Sequence, residues 1–172
     1  MKKIIAAALL CCLLLSQIGC TGTHNFTEDP ILFYYPRIVT QYEYGSTDGV
    51  IGWEERDPAG HRNNLRYLLT LYLVGPVDDH LTSPFPDGCQ LIDLNRSETE
   101  VAVTLNANFG ALKDMDLTLA CASLAQTCFS LTDVPVVRIL CESSDGQISI
   151  DETITRQQLV MEDAPLPAES SN

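Results

Sequence analysis

The stretch from Asp116 to Cys141, DLTLACASLAQTCFSLTDVPVVRILC, decides the fold. Leu117, Cys121, Leu124, Cys128 and Leu131 recur at alternating steps of four and three, so they form one apolar stripe along a helix. The helix is expected from about Asp116 to Leu131, with Asp114 or Asp116 capping its start. Pro135 carries no N–H and ends it, and Val136 to Cys141 (VVRILC) has the β-branched run of a buried strand. A helix with one apolar stripe needs a surface to cover, and a sheet beside it supplies one.

Outward from this core, Ser144-Asp145-Gly146 turns the chain into a return strand, Ile148 to Ile150. Asp151 to Met161 reads as a short final helix within a C-terminal element, 151–163, and the Pro/Ser/Glu-rich end, 164–172, as a disordered tail. Upstream, Cys89 to Leu94 and Glu100 to Leu105 make a hairpin around Asn95 to Glu98. Val101, Val103 and Leu105 share one face of its second strand, and Glu100, Ala102 and Thr104 the other. Tyr67 to Val74 (YLLTLYLV) reads as a strand covered on both faces, stopped by Gly75-Pro76. Val77 to Leu81 reads as one helical turn and Ser83 to Gly88 as a rigid loop.

Residues 31–62 read as an N-terminal β extension packed on the main domain. Ile31 to Val39 is a strand with Pro36 marking an edge or a break, and Gln41 to Glu55 two short strands around the Gly45-to-Gly49 turn. The expected class is α+β: a small mixed sheet in βαββαβ-like order, one main amphipathic helix packed on it, and the β extension. Leu124→Asp should break it, because a charge would enter the core without a partner.

The N-terminus reads MKKIIAAALLCCLLLSQIGC. Lys2 and Lys3 precede an apolar run, Ile4 to Leu15, that is shorter than the roughly 20 residues of a spanning helix and suits a cleavable signal. Gly19-Cys20 resembles the end of a bacterial lipoprotein signal, although Gln17 departs from the usual apolar residue. Residues 1–19 are then the signal peptide, Cys20 is lipidated, and 20–30 is a flexible tether. Acyl chains on Cys20 would hold the domain at the extracytoplasmic face of the membrane, each buried CH₂ contributing about 0.8 kcal/mol.

Losing residues 1–19 removes two of ten basic residues and none of the 23 acidic ones, taking the net charge from −13 to −15. Such a chain lacks the cations that nucleic-acid affinity depends on, and anionic lipid repels it, so membrane association rests on the anchor. Cys89, Cys121, Cys128 and Cys141 permit two disulfides in three connectivities outside the cytoplasm, or serve as small buried apolar residues. Cys121 and Cys128 stand about 10 Å apart along one helix and cannot bridge there.

Three stretches carry a likeness to a known family. They are Leu71-Tyr72-Leu73-Val74-Gly75-Pro76; Leu81-Thr82-Ser83-Pro84-Phe85-Pro86-Asp87-Gly88; and Ser130-Leu131-Thr132-Asp133-Val134-Pro135 running into Val136-Val137-Arg138-Ile139-Leu140. Together they resemble the GerMN domain, named for sporulation and spore-germination proteins of Gram-positive bacteria. The likeness covers residues 65–150; Ser130 and the four cysteines depart from the family pattern. It implies a fold similar to ring-building motifs, a single copy of the domain, an exported or anchored setting, and no catalytic residues to carry over.

The remaining residues point the same way. There is no nucleophile elbow, phosphate-binding glycine loop, Cys-x-x-Cys pair or calcium loop, so no catalytic residue, resident metal or cofactor is expected. His24 lies in the tether and His61 in a loop; His80 follows Asp78-Asp79, a weak metal contact at most against a solvated loop histidine. The loop Ser83-Pro84-Phe85-Pro86 is the candidate interaction surface, its prolines either presenting Phe85 to a partner or ending strands while Phe85 plugs the core. The expected function is a noncatalytic envelope module that binds a protein partner or itself, with sporulation or germination as a setting. The alternative is a lipoprotein binding a small ligand or wall glycan through Tyr34, Tyr35, Tyr42, Tyr44 and Trp53.

Overall fold

A computed structural model describes residues 28–38 and 49–159. The readings of the leader, Cys20 and His24, of the first strand before the 45–49 turn, and of the tail lie outside the described residues. The chain order is β1 (Ile31–Pro36), β2 (Ile51–Arg56), α1 (Leu65–Leu73), β3 (Leu91–Arg96), β4 (Glu100–Leu105), α2 (Asp114–Leu131), β5 (Val136–Glu142) and β6 (Ile148–Thr155). Short 3-10 turns follow β4 and β6. From β2 to β5 the order is βαββαβ, and the whole is an α+β domain of a two-stranded ladder and a four-stranded mixed sheet.

The four-stranded sheet runs β3-β4-β5-β6. Its hairpins β3–β4 and β5–β6 are antiparallel, and β4 pairs parallel with β5, Val103 opposite Ile139. Parallel neighbours need a crossover, and α2 is that crossover. Val101, Val103 and Leu105 of β4 and Val137, Ile139 and Cys141 of β5 are buried on one face, in one core with Ala120, Cys121, Leu124, Ala125 and Cys128 of α2.

The helix stripe is therefore real but narrower than the buried surface: Leu117 and Leu131 are half-buried at its ends, while Ser123 and Thr127 are fully buried on another side. That side meets β1, which packs along α2. The β1 edge that does not pair with β2 is satisfied by side chains. Tyr34 N–H donates to Thr127 Oγ1 (2.9 Å), Ser130 Oγ to the Leu32 carbonyl (2.7 Å), and Tyr72 OH to the Tyr34 carbonyl (2.8 Å). Thr82 N–H donates to the carbonyl of Pro36, which has no N–H of its own to place at that edge. Phe33 and Tyr35 thereby enter the same core as the sheet.

Three local readings change. Residues 67–74, expected as a strand, lie in and just beyond helix α1. Asn64 caps it, its side chain accepting from Tyr67 N–H, and Leu68, Leu69 and Tyr72 are buried at helical spacing while Arg66, Tyr67 and Thr70 face outward. Val77 to Leu81 forms no helix; a single turn closes from Leu81 N–H to the Asp78 carbonyl. The expected C-terminal helix gives way to strand, because β6 continues to Thr155 before the 3-10 turn Arg156–Gln158. Cross-strand chemistry explains the extension: Arg138 of β5 donates two bonds to Asp151 of β6 (2.7 and 2.6 Å), and Ile150 and Ile154 pack against the core.

Neither Asp114 nor Asp116 caps α2. Lys113 occupies the cap position with no side-chain bond, and both aspartates sit in the first turn, favoured there by the positive end of the helix. At the other end Arg156 does the capping, its guanidinium donating to the carbonyls of Phe129 (3.0 Å), Thr132 (2.9 Å) and Val134 (3.3 Å) and lying 4.8 Å from the Phe129 ring centre.

Candidate functional site

The loop from Ser83 to Gly88 is held from several directions. Ser83 Oγ accepts from Phe85 N–H (3.2 Å), and Cys89 N–H donates to the Pro86 carbonyl (3.0 Å). Asn106 Nδ2 donates to the Gly88 carbonyl (2.9 Å) and Asn108 Nδ2 to the Asp87 carbonyl (3.1 Å), while Gly88 adopts φ +74°, a conformation glycine takes freely.

Phe85 itself is 8% exposed and meets Tyr72 edge-on at 5.4 Å, with Phe109 beyond at 6.2 Å. It plugs the core. Ser83 is exposed and Pro84 and Pro86 are half-buried, so these three present the loop. They border a groove of about 290 Å³ completed by Pro36, by Leu112 just before α2, and by Asp116 and Leu119 in its first turns. The prolines restrict the backbone without supplying donors, so the groove offers shape and apolar contact with one carboxylate at its wall.

A second clamp lies beside it and was not legible as one in the sequence. Glu54 is 8% exposed; its Oε1 accepts from Arg56 Nε (2.5 Å) and its Oε2 from the backbone N–H groups of Val77 and Asp78 (2.9 Å each). Arg56 donates in turn to the Gly75 carbonyl (2.8 Å). The pair ties the loop after α1 to β2. Its one sequence trace is two opposite charges, Glu54 and Arg56, sharing a face of a strand.

The other candidate groups are dispersed. Tyr34 and Tyr35 are buried; Tyr35 OH donates to the Tyr72 carbonyl (2.8 Å), its ring stacks on Tyr72 at 4.7 Å, and burial drives its hydroxyl pKa well up. Tyr42 and Tyr44 lie outside the described residues, so of the five aromatics Trp53, at 38% exposure, is the described one left to meet a glycan. The His61 ring lies tilted against Tyr67, with centroids 4.1 Å apart.

Asp78, Asp79 and His80 bring their ligand atoms within 4.8 Å of one another, all exposed. Hydrogen bonds from His80 hold the Asp78 carboxyl below its ordinary range, and the bond to Asp78 raises the His80 imidazole. His80 Nδ1 lies 3.0 Å from Asp78 Oδ1 and 2.9 Å from Asp79 Oδ1. Cys89, Cys121, Cys128 and Cys141 are free and buried, and burial pushes the thiols of Cys89, Cys121 and Cys128 up to about 12. All four are packing residues, and the three with raised pKa carry no thiolate at neutral pH.

Against solved structures, the chain superposes on the tandem GerMN domains of the sporulation protein GerM from Bacillus subtilis with a TM-score of 0.52, covering 79% of this chain at 17% identity. The fold is GerMN-like. The chain spans about half, 48%, of that tandem structure. It also aligns with a Clostridium perfringens protein provisionally described as a lipoprotein, with a TM-score of 0.42 and 18% identity over 77% of this chain and 94% of the other. No protein-family model matches the chain, and no curated protein sequence matches it. Among the described residues no helix is long and apolar enough to cross a membrane.

Proposed function

We propose that the chain is a noncatalytic, lipid-anchored module on the extracytoplasmic face of a Gram-positive cytoplasmic membrane that binds another envelope protein, with sporulation or germination as its setting. The observation that carries this reading is the GerMN-like fold with its Ser83–Pro86 loop fixed beside α2 over an apolar groove. A rigid loop loses little entropy on binding, which suits a recognition surface. The leader ending in Gly19-Cys20 supports the anchor, and the strong negative charge supports a protein partner over nucleic acid or an anionic bilayer.

In-cell crosslinking of the anchored chain, followed by mass spectrometry, tests this. One envelope protein should be recovered, and Pro84→Arg or Leu119→Glu at the groove wall should lose it while thermal unfolding is unchanged. Cys20→Ser should release the chain from the membrane fraction. Recovery of this chain alone would replace a separate partner with self-assembly. Efficient crosslinking with nothing attached would remove the protein-binding reading.

A further inference from the structure

The two edges of the four-stranded sheet differ. At one, β3 carries a bulge between Leu91 and Asp93, and Arg66 of α1 reaches Asp93 at 3.3 Å, so that edge is interrupted and partly covered. At the other, β6 pairs regularly with β5 from Ile150 to Thr155, and among the described residues no strand lies against its outer side.

A groove of about 360 Å³ runs beside that edge, between β6 and α2. Its walls include Leu117, Cys121 and Ala122 of α2, Ile154 of β6, and Leu159. Glu152 also lines it. Glu152 stands opposite Ile139, which is fully buried, so its side chain shares the helix-facing side of the sheet. Reading along that side, β6 presents Ile150, Glu152 and Ile154: apolar, acidic, apolar. On the opposite side Asp151 is already paired with Arg138.

We propose that β6 accepts an extended segment of a partner protein as a fifth strand, with alternate residues reading apolar–basic–apolar, the apolar ones entering the groove and the cation meeting Glu152. This rests on the protein-binding reading above and adds a second surface and a partner chemistry to it. Main-chain bonds to the open edge supply affinity, and the alternating side chains supply selectivity.

Charge decides the occupant. An antiparallel pairing of two β6 strands about their centre sets Asp151 or Glu152 against its own copy, like charges directly opposed, which disfavours a second copy of this chain. Residues 160–172, VMEDAPLPAESSN, contain three acids, two prolines and no lysine or arginine, so the chain's own end lacks the cation and two of the donors a strand needs.

The test uses the full chain in detergent and fluorescein-labelled heptapeptides read by anisotropy. The probe Thr-Val-Thr-Lys-Thr-Val-Thr should bind about fivefold tighter than its Glu-centred counterpart, the upper size expected for one exposed ion pair. It should also outbind a shuffled peptide of the same composition. Glu152→Lys should invert the preference, and Glu98→Lys, in the exposed β3–β4 turn, should leave it within about twofold because solvent screens a distant charge. Equal binding of ordered and shuffled peptides, equal weakening by Glu98→Lys, or no binding at all would overturn the proposal. In cells, a crosslinked partner retained by Glu152→Lys but lost by Pro84→Arg would sink strand addition and leave the protein-binding reading standing. No partner in the wild type would sink both.

Discussion

Glu54→Ala removes the acceptor at the centre of the clamp between β2 and the loop after α1. The carboxylate receives one bond from Arg56 and two from the Val77 and Asp78 amides, with side-chain exposures of 7% for Glu54 and 17% for Arg56. Taking one partner from a buried ion pair costs about 3–5 kcal/mol. Arg56 keeps its bond to the Gly75 carbonyl, and the exposed Val77 and Asp78 can turn their amides to water, so the lower end applies, about 3 kcal/mol. For a chain of this size that lowers Tm by roughly 6–12 °C.

Urea unfolding followed by circular dichroism measures the loss, and amide exchange should show Val77 and Asp78 opening before the sheet. Arg56→Met, alone and combined with Glu54→Ala, completes a double-mutant cycle. In the Glu54→Ala background it should cost little, since the counter-ion is already gone, and in the wild type it should cost most of the coupling. A Glu54→Ala loss below about 1 kcal/mol, or strictly additive effects, would refute the clamp as a desolvated, coupled unit.

Leu124→Asp, at a site 1% exposed, should cost at least about 4 kcal/mol and leave no cooperative thermal transition. Arg156→Ala should lower stability by about 2 kcal/mol through the loss of three carbonyl partners and the Phe129 ring contact, read as a shift in urea midpoint at unchanged slope. Gly88→Ala places a Cβ 2.7 Å from Asn108 Nδ2 at a positive φ; a loss of about 1–2 kcal/mol is expected, with altered groove-side resonances in NMR spectra. The buried thiols of Cys89, Cys121 and Cys128 titrate near 12, whereas an unfolded thiol titrates near about 8.5. Between those values the unfolded state loses its protons first, so the unfolding midpoint should fall as pH rises from about 9 towards 12, less steeply in a triple Cys→Ala variant compared with its own value at neutral pH.

Much of this protein was legible along the chain because the deciding signals are periodic. The 117–131 stripe, the Val101-Val103-Leu105 alternation and Pro135 specify a helix covering a sheet, and these local patterns correspond to buried faces. The Ser83–Gly88 segment was legible as a loop from its prolines and glycine for the same reason, Gly88 taking φ +74°. Residues 67–74 misled because Leu, Tyr and Thr satisfy both a buried strand and a short helix; Asn64, a capping residue, was the distinguishing mark.

Tertiary structure alone decided the rest, since it concerns residues far apart in sequence. That Phe85 lies inward between Tyr72 and Phe109, that Thr127 and Ser130 close the edge of β1, and that Arg156 caps α2 depend on elements meeting in space. The two grooves exist because α2 lies beside the Ser83–Pro86 loop at one place and beside the open edge of β6 at another. Sequence periodicity determines which faces must be covered; which element covers them, and which edge stays open, is set by how the covered faces pack together.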